Sequence, residues 1–491
     1  MRLTILSRAS DLAQIQAAAV ARALRARWPH LLVERHARAA AGDRDRLTAL
    51  AEFTDKGAFT ADLSEALARG DADLVVHSWK DLPTESRPDT QLAGTLERAD
   101  ARDVLLLRPG VRTGRPERLM VLSSSPRRSW LLAETLPGLL PWAVEAVEAL
   151  PVRGNIPTRL RKLLDADADG LVVAKAALDR LVEAEPPFER AAAAVRNAIA
   201  ACDWMVLPVR SWPSAPGQGA LALEAARGRD DVIELVRAVT HTSTLEAVEA
   251  ERRVLSAYGG GCHAALGATI LPRRYGRVTS VRARTPEGAS SGWTLERDRL
   301  PAPKAAPGRL WPSPHEARQI DRRPLETPAP PSSDGVWVAR AEALPEAWGW
   351  TGLVWAAGER TWRRLAARGV WVHGCADGLG DEELPDVDRL AGRRVSWLRL
   401  THREAAADDP NALATYEVRR LLPADLGDRS HFFWTSGTEF REALCRWPAL
   451  RDRWHASGPG RTSRTIQGLL GPSAHADVWL DYESWRKTVT S

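Results

Sequence analysis

Between residues 2 and 182 one pattern recurs: a short apolar run, a polar turn, then an amphipathic stretch. "LTIL" leads through "SRAS" into "DLAQIQAAAVARAL", where Ser10 stands as an N-cap and Leu12, Ile15, Ala19 and Leu24 share one face. A second helix is expected near 59–69, with Phe59, Leu63, Ala66 and Leu67 inward and Gly70 ending it. "DLVV" then runs into "HSWKDLP", "LMVL" into "SSSPRRSW", and "GLVVA" into "KAALDRL". Strands alternating with helices predict an α/β fold with mostly parallel sheets, whose ligands collect at the carboxyl ends of the strands.

Length and composition narrow the function class. At 491 residues the chain holds three or four domains, and 44% hydrophobic with 27% charged residues is the balance of a soluble globular protein. No apolar run is long enough for a bilayer, and "MRLTILSRAS" lacks a signal-peptide core, so no membrane partner is expected. The cysteines, at 202, 262, 375 and 445, form no CxxC pair, which excludes the familiar zinc spacings and points to a reducing, cytoplasmic setting without a structural metal. The net charge of +5 comes from arginines grouped beside turns, a pattern suited to discrete anions and not to nucleic acid. A Pro/Gly-rich stretch at 207–220 reads as a domain crossing, and "DRRPLETPAPPSSDG" at 321–335 as a linker.

The turns hold the candidate chemistry. In "HSWKDLP", His77, Ser78, Lys80 and Asp81 follow a buried strand; Asp81 at such an edge can act as a general acid or hold a developing cation. In "SSSPRR", Ser125 caps a helix opened by Pro126, which sets Arg127 and Arg128 in the first turn, where the dipole disfavours cations unless an anion is held there. "RGNIPTRL" repeats the arrangement with Arg153 and Arg159, and Arg8 precedes the Ser10 cap. Together they describe a cleft for a ligand with several carboxylates. Cys262, behind three glycines in "YGGGCHAALG", occupies a flexible perch that a buried apolar thiol does not need.

The ordered series "SRASDLAQIQA", "DKGAF", "VVHSWKDLP", "ERADARD", "SSSPRR", "RGNIPTRL", "PGQGALALE", "EAERRVL" and "GGGCHAALG" resembles the hydroxymethylbilane synthase, or porphobilinogen deaminase, family over roughly residues 1–320. That resemblance implies two α/β domains like those of periplasmic binding proteins, at 1–103 (with a return at 201–235) and 104–200. A small α+β domain at 236–322, a linker at 323–335 and a separate α/β unit at 336–491 would follow. It implies a dipyrromethane cofactor joined to Cys262 by a thioether, and porphobilinogen as substrate, condensed with loss of ammonia into linear hydroxymethylbilane. Asp81 matches the catalytic aspartate. Ser78, Lys80, Ser124, Ser125, Arg127 and Arg128 match positions that hold the cofactor; Arg8, Ser10, Gln16, Lys56, Arg153 and Arg159 match positions toward the substrate. A monomer is expected. Glu52, Leu122-Ser123 and Gly42-Asp43 depart from the family pattern without touching Asp81 or Cys262.

Residues 336–491 resemble a fused uroporphyrinogen-III synthase domain in "VWAAGERTWRRLAARGVWVHGCADGLG", "HFFWTSGTEFREAL" and "SGPGRTSRTIQGLL", although the segment is short for the two lobes of such an enzyme. A working cyclase and a non-catalytic remnant both remain open. For the whole chain, the alternative is an anion- or tetrapyrrole-binding protein without turnover. The 20 tryptophans have no account in the sequence.

Overall fold

The computed structural model describes the chain except residues 40–60, 166–167, 260–264, 298–301, 307, 314–319, 327–328, 382–384, 408, 421, 423–424, 472–474 and 491. Lys56 and Cys262, with Glu52, Gly42 and Asp43, lie outside the described residues. The strand-then-helix junctions form where expected. Ser10 caps the helix Asp11–Arg27, its side chain accepting from the Ala13 N–H, and Ser125 caps Pro126–Thr135 by accepting from the Arg128 N–H. Each such cap contributes about 1 kcal/mol.

Strands β1 (Arg2–Arg8), β2 (Leu32–Arg38), β3 (Leu74–Ser78) and β4 (Thr90–Gly94) belong to a first sheet. The second sheet holds β5 (Asp103–Leu107), β6 (Arg118–Leu122), β7 (Ala146–Leu150), β8 (Gly170–Ala174) and β9 (Asp203–Val206). Strand β10 (Leu221–Ala226) returns to the first. The strand orders are β2-β1-β3-β10-β4 and β7-β6-β8-β5-β9. As the sequence predicts, each sheet is mostly parallel, four of its five strands running one way with a single reversed strand: β10 runs antiparallel to β3 and β4, and β5 antiparallel to β8 and β9. Both reversed strands come directly after a crossing between the units, so each enters its sheet from the side of the other unit.

Those crossings are 95–102 and 207–220. Strand β9, within the stretch expected to return to the first unit, is the edge of the second sheet instead. The crossings lie side by side, with the Ala99 N–H on the Gly219 carbonyl at 3.3 Å. Gly219 has φ +87, and a Cβ there would stand 2.5 Å from the Ala99 oxygen, so only glycine allows this approach.

The third unit packs the helix Thr242–Ala257 on an antiparallel meander, β11 (Ala265–Arg273), β12 (Gly276–Thr285) and β13 (Gly288–Glu296). Fully buried Glu251 ties it to the crossings by accepting from Arg98, at 2.6 and 3.0 Å, and from the Gly217 and Ile270 N–H groups, both at 2.7 Å.

The C-terminal unit begins earlier than the expected linker, because β14 (Leu310–Trp311) and β15 (Ile320–Pro324) pair with its strands. It has two lobes. One is a six-stranded sheet of β15, β16 (Gly335–Val338), β17 (Leu353–Ala356), β18 (Gly374–Cys375), β19 (Trp397–His402) and β20 (Ala412–Arg420), parallel except for β15. The other is parallel throughout: β14, β21 (His431–Trp434), β22 (Trp454–Ser457) and β23 (Ala476–Val478). The first lobe shares its core with the second unit, and tryptophans mark the seam. Trp362 donates to the Leu139 carbonyl at 3.0 Å, Trp371 to the Trp204 carbonyl at 3.1 Å, and Trp142 stacks on Trp371. Among the described residues no helix is long and apolar enough to cross a membrane.

Candidate functional site

The turn after β3 and the helix after β6 are linked at the junction of the first two units, from Lys80 through Gln218 to Asp103 and so to Arg127. After β3 the chain makes one tight 3₁₀ turn, Trp79–Asp81, which buries the indole of Trp79 and leaves Asp81 exposed. Lys80 is half-buried, its ammonium 3.4 Å from the side-chain oxygen of Gln218. Strand β1 neighbours β3 in parallel, with Leu6 level with Val75, so Arg8 and Ser10 leave the sheet at the same edge as Asp81.

From the second unit come the arginines. Arg127 donates to the Pro213 carbonyl at 2.8 Å and to Asp103 Oδ2 at 2.9 Å. Arg128 holds Asp103 through Nη2 at 2.7 Å and Nε at 3.2 Å, and reaches the Val172 carbonyl at 3.2 Å. Asp103 has no solvent exposure, and the Trp212 indole and Gln218 amide complete its shell at 3.0 and 2.8 Å. Burial alone would raise its pKa; the Arg128 and Arg127 guanidiniums outweigh that and hold it far below the usual carboxylate range. Both arginines are therefore anchored before any ligand arrives.

Electrostatics unite the two sides. Burial, with Arg128 and Arg127 nearby, lowers Lys80 to about 8 against the opposing pull of Asp81 and Asp103. Burial and Arg128 bring Arg159 down to about 10, with Asp81 opposing. Lys80 and Asp81 of the first unit thus share one field with Arg128 and Arg159 of the second. Among the described residues, four cations, Lys80, Arg127, Arg128 and Arg159, meet two carboxylates, Asp81 and Asp103, and the surplus positive charge suits a ligand bearing several carboxylates.

The expected neutral donors are engaged within the protein. Ser78 and Gln16 bond each other at 3.0 and 3.1 Å, pinning the first helix to β3. Ser124 donates to the Val152 carbonyl at 2.7 Å and accepts its N–H at 2.8 Å, while Ser10 and Ser125 serve as caps. Arg153 sits half-buried in the loop after β7, its carbonyl accepting from Lys162. Arg159 donates Nε to the Gly154 carbonyl at 2.8 Å. His77 points away into a buried network with Glu224, at 2.8 Å. Asp103, Gln218 and Glu251 were not singled out in the sequence, although "ERADARD", "PGQGALALE" and "EAERRVL" contain them.

Residues 3–234 match the family described as porphobilinogen deaminase, dipyromethane cofactor binding domain. The chain is 39% identical over 274 residues to the porphobilinogen deaminase of Leifsonia xyli subsp. xyli, covering 55% of this chain and 75% of that protein. It is 35% identical over 296 residues to that of Roseiflexus castenholzii, covering 59% and 90%. Among solved structures, the methionine binding protein MetQ aligns with 53% of this chain and 96% of its own, at 13% identity and a TM-score of 0.28; so distant a likeness carries no argument.

Proposed function

The chain belongs to the porphobilinogen deaminase family, and from that premise we propose that its first three units join four porphobilinogen molecules head to tail, releasing ammonia at each joining, after which water cleaves the tethered chain and frees linear hydroxymethylbilane. The observation that carries this reading is the convergence of Lys80 and Asp81 from one unit with Arg128 and Arg159 from the other. A dipyrromethane joined to Cys262 would supply the free pyrrole position for the first addition, the newest ring serving for each later one, and the tether for the growing chain. Asp81, solvent-accessible on its turn, accepts a pyrrole N–H, steadies positive charge on the substrate as ammonia departs, and takes the proton released when the new bond forms. Lys80 and Arg159 bind carboxylates, and an anion beside Lys80 offsets the burial and the Arg128 and Arg127 charges that lower its pKa. Arg8 and Arg153, at neighbouring strand ends, extend the cationic rim. Intact mass of purified protein tests this: two pyrrole units are expected on wild type and none on Cys262→Ala, which forms no product. Normal turnover by Cys262→Ala overturns the reading.

For the C-terminal unit we infer a uroporphyrinogen-III synthase-like cyclase that closes the linear product. Its two-lobed form and an arginine cluster between the lobes support this. Arg461 and Arg464, in the helix Arg461–Leu470 of one lobe, reach Asp381 of the other at 3.3 and 2.8 Å, and Arg399 reaches Asp409 at 3.2 Å. Arginines gathered where the two lobes meet suit an acidic substrate. Supplied with porphobilinogen alone, the full chain should yield uroporphyrinogen III; isomer I alone overturns the inference.

A further inference from the structure

One loop of the C-terminal unit grips both crossings between the first two units. On 95–102, Arg102 donates Nη1 to the Cys375 carbonyl at 3.2 Å, and its guanidinium lies 5.3 Å from the ring centre of Trp355. On 207–220, the Arg210 N–H donates to Asp377 Oδ1 at 3.2 Å. Just before that crossing, the Val206 N–H meets the His373 carbonyl at 2.8 Å, so the edge strand β9 continues toward β18. From the third unit, the Tyr275 hydroxyl donates to the Leu379 carbonyl at 3.0 Å.

Asp377 holds the 207–220 side of this grip, two residues along the loop from the Cys375 carbonyl that holds the 95–102 side. It is 8% exposed, and its φ of +53 is a left-handed conformation uncommon outside glycine. The charged groups acting on it are Arg102 and Glu359, and the Cys375 thiol lies 3.8 Å from its Oδ1. Arg102 adjoins Asp103, the residue that orients Arg127 and Arg128. Two residues, Arg102 and Asp103, therefore lie between a carboxylate of the C-terminal unit and the arginine pair of the condensation site. Two-unit proteins open and close by changes at a few residues of their connecting segments. A contact that fastens both connections limits how far the units part.

Resting on the deaminase reading, we propose that Asp377 is a positioning residue. Through it, and the Cys375 carbonyl on the loop it holds in place, the C-terminal unit braces both crossings and sets how far the site widens as the bound pyrrole chain lengthens.

The test compares full-length Asp377→Gly with Asp377→Asn. Glycine takes the left-handed backbone without strain and removes the acceptor, whereas asparagine keeps an oxygen for the Arg210 N–H. Amide exchange at 95–102 and 207–220 is expected to rise roughly tenfold in Asp377→Gly and to return to the wild-type rate in Asp377→Asn, with β1 and β6 unchanged in both. The number of pyrroles on trapped enzyme should shift in Asp377→Gly, with kcat falling and KM held. Unchanged exchange at the crossings, a uniform rise through every sheet, or no rescue by asparagine overturns the proposal. The exchange arm needs no porphobilinogen, so failure of the deaminase reading shows itself separately, as wild-type protein that forms no product.

Discussion

Arg128 closes on Asp103 with two nitrogens, Nη2 at 2.7 Å and Nε at 3.2 Å, around a carboxylate that has no solvent exposure. Arg127 shares the same carboxylate. Neutralising it leaves two buried guanidiniums without a counter-charge, a loss that costs about 3–5 kcal/mol when one partner of a buried pair is removed. Asp103→Asn should therefore unfold at a markedly lower urea concentration with an unchanged denaturant slope. A midpoint equal to wild type would mean the arginines do not depend on Asp103.

Asp81 differs in kind, since it is exposed and ends a single 3₁₀ turn. Its replacement by asparagine should leave stability within about 0.5 kcal/mol of wild type. Loss of a group that moves protons and steadies charge is expected to lower kcat by roughly a hundredfold to ten-thousandfold. Steady-state kinetics beside a urea titration check both halves, and near-normal kcat would remove Asp81 from the chemistry.

Arg159 and Arg127 should separate binding from folding. Arg159 gives Nε to the Gly154 carbonyl and otherwise faces Asp81 and Arg128 through charge alone. Arg159→Gln is expected to raise KM roughly tenfold to a hundredfold, the worth of one charged hydrogen bond, with stability held. Arg127→Gln should lose stability first, because Asp103 and the Pro213 carbonyl lose a donor. Equal effects of both variants on KM and on stability would contradict this division.

What could be read from the sequence was local. Ser10, Ser125 and Pro126 announced their helices through contacts spanning a few residues. The direction of β5 and β10 depends on two crossings far apart in the chain, and no periodicity carries that information. Asp103 acquires its role from Arg127, Gln218 and Trp212, separated from it by 24, 115 and 109 residues. For the same reason Arg127 and Arg128 looked like open anion ligands when each already holds a carboxylate. Trp362 and Trp371 bond across the seam between the C-terminal unit and the second, a relation that no local pattern carries.

That seam should be sensitive to acid through His373. Its Nδ1 accepts the Val354 N–H at 3.1 Å and its ring meets Trp204 edge-on. Burial, aided by the Arg112 guanidinium, depresses its pKa to about 3. Above pH 6.5 both folded and unfolded chains hold a neutral imidazole, and this group's contribution is complete. Between 6.5 and 3 the unfolded chain binds a proton that the folded chain refuses, so stability falls as the pH falls. From pH 6.5 to 5 the loss amounts to about 2 kcal/mol, at about 1.4 kcal/mol per unit. His373→Gln keeps an acceptor and cannot titrate, so the stability advantage of wild type over this variant should shrink by about 2 kcal/mol between pH 7.5 and 5. An advantage that stays constant over that range would mean His373 is not held neutral at the seam.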